Sequence, residues 1–160
     1  MTGNLRVGDW LRRRAAIGLA LLCVVVVVGS CVGPARTAKD YRLKASSTAG
    51  SVRGALETAR LGVLAADRGR ITANYLSVLI GGAEDDASSA QSTFESVQSP
   101  GTSSDGVRHQ VLGTVGDAVS TLSHLRALVR RDDMGQLTRA ARALPSMSQD
   151  LKRLQDANGG

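Results

Sequence analysis

The chain has little of the residue types that most often build reactive or stacking sites. Its 160 residues include one Trp, two Tyr and one Phe, so few aromatic faces exist on which nucleic-acid bases could stack. No cysteine follows Cys31, which excludes a disulfide framework and a thiolate metal site in the rest of the chain. From these absences we expect no nucleic-acid partner and no thiolate-bound metal.

Catalytic sequence motifs are missing as well. The sequence contains no Gly-rich phosphate loop, no zinc-protease histidine pair and no nucleophile elbow. The residue types of a hydrolase triad do occur in Asp117, Ser120 and His124, but Ser120 lies between the other two, whereas a triad needs its His between Ser and Asp. In a helix, Asp117 and His124 are also about 10 Å apart along the axis. A polar surface patch is therefore the preferred interpretation, no enzyme and no cofactor are predicted, and a hydrolase is the least favoured alternative.

The densest acidic cluster, Glu84 to Asp86, does not have the spacing of a metal site. Consecutive helical residues point about 100° apart, so the three carboxylates diverge. A helical metal site needs partners three or four residues away, and positions 80–82 and 87–90 offer neither carboxylate nor imidazole. We expect no metal here.

What the chain does have is one long apolar run near its start. Residues 15–33 carry no charge, and as a helix these 19 residues rise about 28 Å, nearly the hydrocarbon thickness of a bilayer. The run follows Arg12, Arg13 and Arg14 and ends in small residues, which is also the order of a secretory signal. It therefore predicts either an uncleaved transmembrane helix or the h-region of a signal.

The end of this run resembles the lipobox of bacterial lipoproteins, in which the cysteine is acylated and becomes the new N-terminus. Val28, Gly29 and Ser30 precede Cys31, matching the pattern of an aliphatic residue three positions before the cysteine and small residues directly before it. The resemblance implies lipidation of Cys31 and attachment to membrane lipid. An uncleaved helix, in which Cys31 is an ordinary apolar residue, remains the alternative.

Charge and composition suggest how the chain is placed. Arg outnumbers Lys 17 to 3, a bias typical of GC-rich genomes, and with the lipobox the chain is similar to membrane-anchored lipoproteins of actinobacterial envelopes. Lysines and arginines near the two ends of the run are equal in number, but the arginine triplet adjoins the run. We predict a cytoplasmic basic arm at residues 1–14, a single anchor at 15–33 and an extracytoplasmic domain at 34–160.

Beyond the anchor, apolar residues recur every three or four positions, which predicts an all-α fold. The sequence indicates four helices in an antiparallel, coiled-coil-like up-down bundle. Turns are expected at residues 67–70 and 130–136, a break at Pro100 and Gly101, and a kink or split at Pro145. Ser104 or Asp105 is expected to cap the third helix, and Asp133 the fourth, with Gln136 as its capping-box partner. Gly81 and Gly82 leave open whether the second helix is split. The predicted buried stripes are Tyr41, Ala45, Thr48, Val52, Ala55, Ala59, Val63 and Ala66; Leu76, Leu79, Ala83, Ala87, Ala90, Phe94 and Val97; Val107, Val111, Val115, Ala118, Leu122, Leu125 and Val129; and Met134, Leu137, Ala141, Leu144, Met147, Leu151 and Leu154.

The leading hypothesis of function is a membrane-anchored, non-catalytic interaction or scaffold module with a protein partner in the envelope. In shape alone, a four-helix domain of this kind is similar to the sensor ectodomains of chemoreceptors and histidine kinases. A carrier of an apolar ligand in the bundle core is the main alternative, and the alanine-rich stripes of the first two helices disfavour it because small side chains let helices pack closely.

Overall fold

Helices make up the regular structure of the chain in the computed structural model, which describes residues 37–160. The helices are α1 (Ala38–Asp67), α2 (Ala73–Glu95), α3 (Asp105–Arg130), α4 (Met134–Ala140) and α5 (Leu144–Asn158), with 3-10 turns at Thr102–Ser104 and Ala141–Ala143. No strand occurs within residues 37–160, so the all-α prediction is confirmed for this range.

The predictions about the membrane anchor concern a part of the chain that the structure does not describe. The basic arm 1–14, the apolar run 15–33 and Cys31 lie outside the described residues. Within residues 37–160, none of the helices combines the length and the apolar character needed to cross a bilayer.

Local chemistry sets the helix ends. Thr37 precedes α1, and its hydroxyl accepts a hydrogen bond from the Asp40 backbone N–H at 3.0 Å, which satisfies one of the free donors of the first turn. At the other end of α1, the N–H of Gly69 donates to the Ala66 carbonyl and that of Arg70 to the Ala65 carbonyl, both at 2.9 Å. This is a Schellman motif, and Gly69 has the positive φ of 65° that the motif requires.

The turn after α3 repeats this motif with a different residue. Asp133 N–H donates to the Leu128 carbonyl and Asp132 N–H to the Val129 carbonyl, while Asp132 has a φ of 55°. Asp133 then caps α4 by accepting from the Gln136 backbone N–H at 2.9 Å. The predicted cap at Asp133 is confirmed, although the Gln136 side chain donates to the Asp133 carboxylate and not back to the backbone.

Contacts at opposite ends of the helices show that neighbours run antiparallel. The rings of Tyr41, near the start of α1, and Phe94, near the end of α2, have centroids 5.2 Å apart. The start of α3 reaches the end of α2 through Arg108, and the Ser46 hydroxyl near the start of α1 donates to the Gln155 carbonyl near the end of α5 at 2.9 Å. The chain therefore runs up and down as the short connections predict.

The bundle is not symmetric, because α1 is its centre. α1 packs most extensively against α5 and α2 and also against α3, whereas α3 and α5 touch each other little. The small-residue stripe of α1 permits this close approach: a Cβ added to Gly62 would stand only 3.0 Å from Leu79 Cδ2. A single helix thus organises the core, which the sequence pattern alone does not indicate.

The core follows the predicted stripes. Most of the predicted residues are buried, and the half-buried exceptions lie at the edges of the core. The structure adds buried residues that the stripes omit, namely Ala49, Leu56, Ile80 and Leu128. The exceptions are Thr48, Ala66, Leu79, Ala90, Val107, Met134 and Met147.

Three uncertain points in the sequence are decided by the structure. Pro145 does split the fourth predicted helix: the 3-10 turn lies just before it and Pro145 is the second residue of α5, where its missing N–H costs no hydrogen bond. Gly81 and Gly82 do not split α2, which runs unbroken across them. Ser104 precedes α3 but makes no side-chain capping hydrogen bond, because the 3-10 turn supplies the preceding backbone geometry.

Candidate functional site

The residues of the hypothetical hydrolase triad lie on the solvent side of α3. Asp117, Ser120 and His124 are all exposed. Within residues 37–160 no hydrogen bond or ion pair joins these three side chains, and only the Asp117 backbone carbonyl is engaged, by the Thr121 hydroxyl at 2.9 Å. The arrangement presents three separate polar groups to solvent and assembles no nucleophile with its base.

The acidic cluster on α2 holds two helices together. Glu84 Oε2 accepts from Arg126 Nη1 of α3 at 2.8 Å, and Asp85 Oδ1 lies 3.9 Å from the same nitrogen. The Glu84 hydrogen bond and charge, with a smaller contribution from Asp85, raise the pKa of the Arg126 guanidinium. Asp86 points away and is exposed. In the described part of the chain, no group of three or more His, Cys, Asp or Glu side chains is arranged to hold a metal ion.

A second charged group lies between α1 and α5. Glu57 pairs with Arg60 at 2.8 Å, and the Ser148 hydroxyl of α5 is the largest of several influences that lower the pKa of the Glu57 carboxyl, followed by Arg60. The spacing of Arg53, Glu57 and Arg60 predicts a solvent-exposed charge face, and the structure agrees with this only in part. All three side chains are half-buried, because α5 packs against this side of α1.

Arg108 fastens the loop that joins α2 to α3. Its Nη1 donates to the Val97 carbonyl and its Nη2 to the Glu95 carbonyl, both at 2.9 Å. These carbonyls terminate α2, where the helix dipole is negative and a cation is favoured. Apart from an arginine early in α3, nothing in the sequence pattern indicates this contact.

A groove runs between α3 and α5, the two helices that touch little. Its volume is about 360 Å³, and it is lined by Gln110, Thr114, Asp150, Arg153, Leu154 and Ala157. Asp150 and Arg153 form an ion pair at its side. Because the groove is open and four of its six lining residues are polar, it does not have the enclosed apolar lining expected of an apolar-ligand carrier.

The most distinctive surface is the end of the bundle that holds the turns 68–72 and 131–133, which we call the turn end. Five large apolar side chains are exposed in residues 37–160, and four of them lie in the last two turns of α1 and the first two turns of α2. Leu61 is 57%, Leu64 37%, Tyr75 58% and Val78 74% exposed. Because α1 and α2 are antiparallel, all four lie at the turn end, away from Thr37.

The same end carries a group of exposed arginines. Within residues 37–160, none of them forms an ion pair or a side-chain hydrogen bond. They are Arg68 and Arg70 in the turn 68–72, Arg130 and Arg131 at the start of the turn 131–133, and Arg139 and Arg142 in the residues that follow that turn. Arginine and aromatic side chains such as Tyr75 are enriched in protein interfaces, and exposed apolar side chains grouped together mark interaction sites, so the turn end is the candidate functional site.

Comparison with known proteins adds no identification. No protein-family model, no curated protein and no solved structure matches the chain.

Proposed function

We propose that this protein is a non-catalytic interaction module, held at the outer face of the cell membrane by residues 15–33 or by lipid on Cys31, which binds a protein partner of the envelope. The proposal rests on the exposed apolar side chains of the turn end. Exposing four large apolar side chains at one end of a small bundle costs solvation free energy, and such exposure marks a binding surface more often than an idle one.

The apolar run and the lipobox-like residues support the membrane attachment. A single acyl chain holds a protein only marginally, whereas the several chains of a bacterial lipoprotein, or a spanning helix, hold it stably.

The packing of the core supports binding at a surface over carriage of a ligand inside the bundle. The largest buried side chains, Tyr41 and Phe94, pack against one another, and leucines, Ile80 and valines fill the core between the helices. The polar groove between α3 and α5 gives an apolar ligand no enclosed site. The carrier alternative therefore has no observation in its favour.

Cys31→Ser tests the mode of attachment. A lipidated protein would accumulate as a larger, unprocessed precursor in this variant and would lose incorporation of labelled fatty acid. A parent protein with no lipid label and unchanged size in the variant would mean an uncleaved anchor. Protease added to intact spheroplasts tests the placement, and complete protection of residues 37–160 would show that the proposed orientation is inverted.

Photo-crosslinking in intact cells tests the interaction. A photoreactive amino acid at Val78 should give one discrete protein adduct, whereas the same group at Ser120 on α3, which is also exposed, should give none. Equal labelling at both positions, or no adduct at Val78, would contradict a binding role for the turn end.

A further inference from the structure

We infer that the partner of the turn end is a protein whose contact surface is acidic around an apolar centre. This inference rests on the proposed function and specifies the chemistry of the partner. It follows from how charge is divided over the bundle.

Positive charge is concentrated at the turn end. Residues 37–160 hold 15 basic and 13 acidic side chains. The segments 67–72 and 130–142 together hold six arginines and three aspartates, a net charge of +3. The rest of the described bundle holds nine basic and ten acidic side chains and is therefore slightly negative. The net positive charge of the turn end is thus larger than the net positive charge of residues 37–160 as a whole.

The acids at this end do not neutralise the arginines. Asp133 is occupied in capping α4, where both of its oxygens accept from Gln136. Elsewhere in residues 37–160, arginines in the middle of helices do find partners, as Arg60 and Arg126 do. Six arginines without an ion pair or side-chain hydrogen bond therefore lie at the surface that also exposes the apolar side chains, whereas elsewhere in residues 37–160 Arg42 is unpaired and the Nε of Arg53 has no hydrogen-bond partner.

Arginine favours a particular kind of partner. Its planar guanidinium binds carboxylates through two parallel hydrogen bonds and is desolvated more readily than the ammonium of lysine. All six basic residues of the turn end are arginines. This surface fits carboxylate groups held in place by a folded partner.

The exposed apolar residues of the turn end favour a protein over an anionic polymer as its partner. A phosphate-rich polymer or a nucleic acid would pair with the arginines but would leave Leu61, Leu64 and Val78 in water. A protein surface that combines carboxylates with apolar side chains covers both groups, with the apolar contact at its centre and the ion pairs at its rim.

The test uses the full chain in its membrane with a photoreactive amino acid at Tyr75. Arg68→Glu with Arg131→Glu reverses two charges at the turn end, and Lys39→Glu with Arg42→Glu reverses two exposed charges at the opposite end as a matched control. Circular dichroism of each purified variant confirms that it folds. We expect the turn-end variant to lose about tenfold or more of the adduct, because like charges then face each other across the interface, and the control to retain it.

The crosslinked peptide of the partner, identified by mass spectrometry, should carry a net negative charge beside apolar residues. An adduct that survives the charge reversal, or a neutral or basic crosslinked peptide, would overturn the acidic partner while leaving the interaction module intact. Complete absence of an adduct at Tyr75 and at Val78 would overturn both. Crosslinking to nucleic acid or to a phosphate-bearing polymer would replace the protein partner with that polymer.

Discussion

Tyr41 provides a test in which the structure predicts a stabilising substitution. The side chain is fully buried with its ring against Phe94, and its hydroxyl has no hydrogen-bond partner among residues 37–160. A buried hydroxyl that loses its water without gaining a partner costs about 1–3 kcal/mol. Tyr41→Phe keeps the ring contact and removes the hydroxyl, so we expect the free energy of unfolding to rise by about 1 kcal/mol.

The measurement is urea unfolding of the fragment 37–160, followed by circular dichroism because the one Trp of the chain, Trp10, lies outside the fragment. A gain of about 1 kcal/mol corresponds to a melting temperature about 4 °C higher for a domain of this size. Tyr75→Phe is the matched control, since the Tyr75 side chain is 58% exposed and its hydroxyl is solvated in both states. That variant should stay within about 0.5 kcal/mol of the parent.

Two results would refute the reasoning. A less stable Tyr41→Phe variant would show that the hydroxyl has a partner, such as a buried water, whose hydrogen bond outweighs the desolvation cost. Identical free energies for Tyr41→Phe and Tyr75→Phe would show that the Tyr41 hydroxyl is solvated. Tyr41→Ala should lose about 3–5 kcal/mol in either case, because it opens a cavity beside Phe94.

Three further predictions use the same unfolding assay. Leu122→Ala, at a fully buried position of α3, should lose about 2–5 kcal/mol, whereas Leu61→Ala at the exposed turn end should change little. A loss at Leu122→Ala as small as that at Leu61→Ala would mean that Leu122 is not part of the core. Gly69→Ala should lower the free energy of unfolding by about 1 kcal/mol because φ is 65° at this position. Asp132→Gly should raise it by about 0.5 kcal/mol because Asp132 adopts a φ of 55° in the same motif. A less stable Asp132→Gly variant would point to a role for the Asp132 side chain. Glu57→Gln should lower the free energy of unfolding of the fragment at neutral pH. Because the pKa of Glu57 is lowered in the folded state, this loss should shrink as the pH falls below the ordinary pKa of a glutamate. A loss that persists at pH 2 would assign the effect to packing.

The apolar repeat was sufficient to predict the helices and most of the core. Burial of a helix face requires side chains three and four residues apart, so the stripes through Val52, Phe94 and Leu122 could be identified from the sequence. Pro145 and Gly69 were equally informative, because proline fixes φ and lacks an N–H, whereas glycine readily adopts the positive φ of a helix-ending turn. These features are local in sequence, which is why they could be predicted.

Contacts between distant residues could not be predicted in this way. Arg108 reaches carbonyls eleven and thirteen residues away, and Arg126 reaches Glu84 across 42 positions. Nothing in the spacing of Glu57 shows that α5 covers it. The turn end was missed for the same reason, because the ends of α1 and α3 lie at the same end of the bundle only when α2 runs antiparallel to both.

The central position of α1 has a consequence for how the bundle opens. α5 is held chiefly by α1 and hardly by α3, and a 3-10 turn before Pro145 separates it from α4. Detaching α5 therefore breaks one large helix interface, whereas detaching α1 breaks two, those with α5 and α2, together with its smaller contact with α3. Local opening should release α5 first, so its backbone amides should exchange with solvent deuterium well before those of α1 and with a smaller free energy than global unfolding.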